Sequence, residues 1–265
     1  MNRLSELVES RELVVNLTLR ELRGKYKRSV LGWAWSLLNP LASMAIFTMV
    51  FSYFLKIEAP KGVPSGLQSF PFYLLIGLLP WNYLSNGMNG SMGALIANSN
   101  LVKKVYFPRE VLIFANVSSN IVTLLIEMGV LVVALLVVGN FVLPWLVPVV
   151  LLIVIQTVFV LGIGLILSVL NVYFRDVQHL IGIVLQLWFY ATPIVYPITF
   201  VPPRVRTFYD LNPMVRFVEA YRDCLYDLHW PPLGDWAYLA GVAVLTLVVG
   251  AMVFAHFEPK LAEEL

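Results

Sequence analysis

Charge is scarce in this 265-residue sequence: Asp, Glu, Lys and Arg make up 13% of it, about half the ~25% of a typical soluble domain. Hydrophobic residues reach 59%, and the mean hydropathy is +0.80. Too few polar groups are present to coat a water-soluble globule, so a one-domain polytopic membrane protein is expected. The single cysteine, Cys224, excludes an internal disulfide. The histidines, His179, His229 and His256, lie far apart without cysteine or carboxylate at metal-ligand spacing, so no metal site is expected. No G-x-x-x-x-G-K-[ST] phosphate loop is present, which excludes a P-loop ATPase within the chain. No G-x-S-x-G elbow is present either, and the polar connections are too short for a catalytic domain. The reading is a non-enzyme without a cofactor of its own. The N-terminus is too charged, and its first apolar run too late and too long, for a cleaved signal peptide. The inverted repeats of many secondary transporters are not evident.

What is present begins with residues 17–40, LTLRELRGKYKRSVLGWAWSLLNP. Arg20, Arg23, Lys25, Lys27 and Arg28 are followed at once by an apolar run with Trp33 and Trp35 at its mouth. Cations at headgroups and indoles at the interface describe an amphipathic surface helix running into a membrane span. Apolar runs at 31–55, 70–95, 111–138, 145–171, 180–200 and 236–256 predict six spans, each near or above the ~20 residues a helix needs to cross. The fifth is interrupted by Pro193 and Pro197. With both termini inside, twelve basic residues fall on the cytoplasmic side and six outside, which favours that orientation. Four of the outside six (Arg204, Arg206, Arg216 and Arg222) lie in 201–235. There Asn212-Pro213 reads as a helix start, and Met214, Phe217, Val218, Tyr221 and Leu225 follow at helical spacing. The expected fold is all-α and integral to the membrane. It has an N-terminal interface helix, six spans, and short extracytoplasmic re-entrant helices between spans 5 and 6. Residues 1–30 form the interface segment, 31–257 the transmembrane domain and 258–265 a cytoplasmic tail.

Inside the spans, Asn116, Asn120, Thr123 and Glu127 share one helical stripe. It reads either as the lining of a watery path or as a packing contact, with Gln156 as the partner of Glu127. Asn82, Asn86, Asn89 and Gly93 form a second stripe, with small neighbours suited to close helix packing. Aromatics are 13% of the chain. Phe47, Phe51 and Phe54 share a face of span 1, and Trp188, Tyr190 and Tyr196 cluster on span 5. Such rings stack on sugars, pack in cores or face lipid.

The run LRELRGKYKRSVLGWAWSLLNP resembles the start of ABC-2-type polysaccharide exporter permeases, the membrane subunits that export O-antigen, capsule, teichoic acid or similar lipid-linked glycans. The resemblance continues in order through KKVYFPREVL (103–112), NVYFRDVQHL (171–180), ATPIVYP (191–197) and LNPMVRFVEAYRD (211–223). It implies a homodimeric pore in a prokaryotic cytoplasmic membrane. Two copies of a separate ATPase subunit, which bind ATP and Mg, would sit beneath it. It assigns coupling to that ATPase to Lys103, Lys104 and Tyr106, with Arg175 and Asp176 as a second contact. The five N-terminal cations would meet the lipid pyrophosphate. Phe47, Phe51, Phe54, Trp188 and Tyr190 would line the channel. Pro193, Tyr196, Met214, Phe217 and Tyr221 would form the outer gate. A permease for a small hydrophobic compound, or a membrane-embedded enzyme or partner subunit, are the alternatives.

Overall fold

A computed structural model describes residues 10–26, 32, 34–105 and 107–265, and the described residues contain helices and no strand. Helix α1 is Arg11–Tyr26 and α2 is Ala34–Phe47, continued by a π-helical stretch, Thr48–Phe54. Next come α3 (Phe70–Ala97), the short α4 (Ser99–Lys104), α5 (Glu110–Val137) and α6 (Leu146–Tyr173). The chain then forms α7 (Val177–Tyr190), α8 (Pro203–Asp210) and α9 (Pro213–Arg222), which runs into a π-turn at Asp223–Asp227. It ends with α10 (Leu233–Phe257) and a last turn, α11 (Leu261–Glu264).

Four helices among the described residues are long and apolar enough to cross a membrane: Ala34–Phe54, Glu110–Val137, Leu143–Tyr173 and Leu233–Lys260. They match expected spans 1, 3, 4 and 6. Helix α3, where span 2 is expected, is also 28 residues long. Its carboxamides and glycines lower its hydropathy, and it packs at the centre of the bundle against α5 and α6. The fifth span needs correction. The helix expected over 180–200 ends at Tyr190, so α7 has 14 residues, about 21 Å against a core of ~30 Å. The chain turns at 191–197, where Pro193 and Pro197 supply no backbone N–H.

Two contacts set the core. Helices α6 and α10 meet backbone to backbone at Gly162 and Gly250: a Cβ on Gly162 would overlap the main chain of Thr246 and Leu247. Helix α9 then wedges among α3, α6 and α10. Asn212 caps it, its Oδ1 accepting from the Met214 N–H at 3.0 Å, with Pro213 at the first helical position. Its Tyr221 hydroxyl donates to Gln156 Oε1 at 3.0 Å, and Phe217 meets Phe159 at 5.9 Å between ring centroids. Gln156 and Phe159 lie about 15–20 Å into α6, so α9 packs beside the interior of that helix, as expected of a re-entrant segment.

The two ends of the bundle differ. One gathers α1, α4, residues 107–109, the 174–176 turn and α11. Asn171 of α6 donates to Met92 O of α3 at 2.9 Å near it, and Arg109 donates to Glu258 O. The other end is closed by residues 55–69 folded over the α9 turn. There Tyr226 donates to Pro60 O at 2.9 Å, and Ser65 to Tyr226 O at 2.6 Å.

Candidate functional site: a polar groove and an aromatic path

Helix α1 lies along α5, burying Leu17 and Leu22. The Thr18 hydroxyl donates to Val14 O at 2.7 Å and reaches Ala115 O at 3.4 Å. Of its described cations, Arg20 donates to Asn98 at the α3–α4 junction, and Arg23 is exposed. Lys25 is exposed too, but its ammonium has partners. Its ammonium turns inward and donates to Asn120 Oδ1 at 2.8 Å and Thr123 Oγ1 at 3.3 Å on α5. Burial pulls the Lys25 pKa below its ordinary value, while Glu127 and Glu21 pull it back up. Lys27, Arg28 and Trp33 lie outside the described residues.

Lys25 enters a groove of 410 Å³ between α1, α2, α3 and α5. Asn116, Asn120, Thr123 and Glu127 line one wall, and Asn82, Asn86, Asn89 and Gly90 the other. Trp35, Ser36, Asn39 and Pro40 of α2 complete it. The two Asn stripes therefore face each other across one space. A Cβ on Gly90 would overlap the Asn116 carboxamide, so a larger residue there would displace that side chain within the groove. Measured from the helix ends, the groove runs from about 10 to 25 Å deep. The expected partner of Glu127 is wrong: Gln156 is used by Pro80 O, at 2.8 Å, and by Tyr221. The cation that shares the groove with Glu127 is Lys25, without an ion pair between them. That juxtaposition joins residues about a hundred positions apart, and no local spacing points to it.

Beyond the groove an aromatic path continues between α2, α3 and α7. Phe51 stacks on Phe70 at 6.2 Å and lies 6.2 Å from Phe47, which lies 6.2 Å from Phe189. Phe189 meets Trp81 edge to face at 5.6 Å, and Trp81 meets Trp188 at 5.9 Å. Tyr190 joins through Phe189 at 5.3 Å. The structure thus brings together Phe47, Phe51, Trp188 and Tyr190 of the expected lining. Phe54 pairs with Tyr53 instead, at 5.6 Å. Phe70, Trp81 and Phe189 were not anticipated.

The far end is organised around Arg222. Sequence reasoning offers it to outer headgroups or an anionic polymer, but it is 2% exposed. Its guanidinium donates to Pro193 O at 2.7 Å, Ile194 O at 2.8 Å and Glu219 Oε1 at 2.8 Å, and lies 3.6 Å over the Tyr73 ring. It satisfies carbonyls that the broken α7 cannot. Arg216 is also tied inward, to Asp235 at 2.6 Å and Asp210 O at 2.8 Å, whereas Arg204 and Arg206 are exposed. Met214, Phe217 and Tyr221 are buried within the chain, as is Pro193. Tyr196 is half-buried and donates to Tyr190 O at 2.7 Å. Asp223, Asp227 and His229 offer ligand atoms within 4.8 Å of one another, but His229 Nε2 and Asp223 Oδ1 already pair at 3.3 Å.

At the α1 end, Lys103 and Lys104 close α4 and are exposed, as are Arg175 and Asp176 in the turn before α7. Tyr106 lies outside the described residues.

A family model described as ABC-2 type transporter matches residues 12–226. The chain is 32% identical over 265 residues to the O-antigen export system permease protein RfbA of Myxococcus xanthus, covering 98% of each chain. It is 30% identical to the RfbA of Klebsiella pneumoniae, over 95% of this chain and 94% of that one. The polysialic acid transport protein KpsM of Escherichia coli is 29% identical over 90% of each. The chain belongs to the ABC-2 type transporter membrane family and is a multi-pass membrane protein.

Proposed function

We propose that this ABC-2 permease exports a lipid-linked polysaccharide across the cytoplasmic membrane. The observation that carries the reading is the end-to-end likeness to O-antigen export permeases. The site's chemistry agrees with it. A carboxamide groove followed by an aromatic path suits a glycan, which carries hydroxyls at its rim and apolar ring faces. It does not suit a small hydrophobic compound, because apolar groups pressed on the groove's amides would strip their hydrogen bonds without replacing them.

In this reading two copies form the pore and two copies of a separate subunit bind ATP and Mg. Among the apolar helices, α2 and α7 bury few of their residues within the chain and would face the pore between the copies. Both termini, α4 and the 174–176 turn are cytoplasmic, and Lys103, Lys104 and Tyr106, with Arg175 and Asp176, dock on the ATPase. Exposed Arg23, with Arg20, Lys27 and Arg28, meets the lipid pyrophosphate, while Lys25 serves the groove. Residues 191–227 close the outer end. Met214, Phe217 and Tyr221 anchor that closure from within, while Pro193 and Tyr196 shape its edge.

Deleting the chain and recovering lipid-linked polymer from inside the cells tests the reading. Polymer accumulates and is exported again when the chain is restored. Altered sensitivity to hydrophobic compounds with no trapped polymer would favour the small-compound permease.

A further inference from the structure

We infer that the groove between α1, α2, α3 and α5 is a recognition site for an uncharged, polyhydroxylated ligand, namely the sugar rings nearest the lipid end of the exported glycan. This rests on the exporter reading and adds to it where the sugar is recognised.

The side chains define the ligand. A carboxamide donates and accepts at once, as a sugar hydroxyl does. Asn39, Asn82 and Asn86 line the groove and make no hydrogen bond to a described residue. Glu127 is 8% exposed, lines the same space and accepts no hydrogen bond from a described residue. Asn39 and Asn86 are exposed and Asn82 half-buried, so these carboxamides are open to an occupant, while leaving the buried Glu127 without a partner costs roughly 1–3 kcal/mol. The occupant is therefore polar. The lining does not select an anion: its one cation, Lys25, is matched by one carboxyl group, Glu127, two of the three ammonium donors are already used by Asn120 and Thr123, and the Glu127 oxygens accept from hydroxyls. Trp35, 45% exposed, adds an apolar plane at the mouth on which a ring face can stack. The 410 Å³ volume equals roughly a dozen waters at about 30 Å³ each, which suits a small saccharide.

The test uses the whole exporter with its ATPase in lipid nanodiscs. Asn39→Cys serves as the reporter, since Cys224 is buried. Thiol labelling is timed with N,N′-diacetylchitobiose, pyrophosphate or naphthalene present. The disaccharide at about twice its Kd slows labelling about threefold, by mass action, while the anion and the hydrocarbon do not. Adding Asn82→Leu and the near-isosteric Glu127→Gln abolishes that protection. Equal labelling with and without disaccharide, stronger protection by pyrophosphate or naphthalene, or protection that survives both replacements overturns the site. If polymer accumulates on deletion but the disaccharide gives no protection, the groove assignment alone falls. If no polymer accumulates, the exporter reading falls whatever the labelling shows.

Discussion

Replacing Arg222 with Met tests whether one guanidinium holds the break after α7 in place. Arg222→Met keeps the length and most of the apolar stem but removes every donor. The carbonyls of Pro193 and Ile194 accept from no other described donor, so both become buried and unsatisfied, at about 1–3 kcal/mol each. The stacking over Tyr73 adds up to ~2 kcal/mol for a desolvated cation–π contact. Against this, a buried charge no longer needs desolvating, which returns several kcal/mol. The loss still outweighs that return, because the Pro193 and Ile194 carbonyls stay buried, although Glu219, 32% exposed, keeps access to water; the net falls at the lower end of the ~3–5 kcal/mol for breaking a fully buried pair. A loss of about 3 kcal/mol corresponds to a Tm decrease of roughly 6–12 °C for a chain of this size. Arg216→Met is the control. That cation, 27% exposed, pairs with Asp235, lies 4.2 Å over the Tyr238 ring and donates to Asp210 O; at a partly exposed site the pair and the stacking are worth about 1–2 kcal/mol together. Thermal unfolding in nanodiscs, read by size exclusion after heating, measures both. An Arg222→Met protein as heat-stable as Arg216→Met would refute the argument.

The α6–α10 contact should tolerate no side chain: Gly162→Ala pushes on the Thr246–Leu247 backbone and should cost ~1–3 kcal/mol by overpacking, seen as a lower Tm, whereas Gly182→Ala meets open space and should not. Asp223 carries a pKa raised to about 7, chiefly by burial and also by Glu219, Asp227 and Asp235, with His229 opposing. Its native form thus binds a proton more tightly than the unfolded chain, so its contribution to stability falls as pH rises from about 4 to 7. Asp223→Asn should flatten the Tm-versus-pH curve in that window, and an unchanged slope would discard the assignment. Cysteines at Lys103 and Lys104 should cross-link to the ATPase subunit. If they do not, while cysteines at Arg175 or Asp176 do, the 174–176 turn carries the coupling.

The spans were legible because hydropathy and helix length are local properties. Four helices match expected spans closely, and the Asn212-Pro213 start of α9 was readable because a cap is written in adjacent residues. The end of α7 was misjudged by ten residues because apolarity continues past Tyr190 while backbone donors do not. Arg222 was misread for a related reason. An arginine in an extracytoplasmic segment reads as a surface cation until the partners that desolvate it are known, and those lie at Tyr73, Pro193 and Ile194. The two Asn stripes were both visible. That they face one another, and that a lysine from the surface helix enters between them, depends on how α1, α3 and α5 dock, which no single-helix periodicity encodes.

That docking gives α1 a mechanical position as well as a chemical one. Arg20 bonds Asn98, the residue joining α3 to α4, while Lys25 bonds Asn120 and Thr123 in the groove wall. Five residues of helix separate them, about 7.5 Å along a rigid rod. Helix α4 carries Lys103 and Lys104, so a displacement of its start is passed through Asn98 and Arg20 to the helix that holds the Lys25 ammonium. The Lys25 bonds, at 2.8 and 3.3 Å, pass beyond hydrogen-bond distance with a shift of about an ångström. Withdrawing the ammonium leaves Glu127 without its counter-charge and exposes two more acceptors, at Asn120 and Thr123, to whatever occupies the groove. If the groove holds the sugar proposed above, its affinity would be tied to the position of α4 by two side-chain contacts on one helix, and a ligand bound through Asn120 would compete with the contact that pins α1.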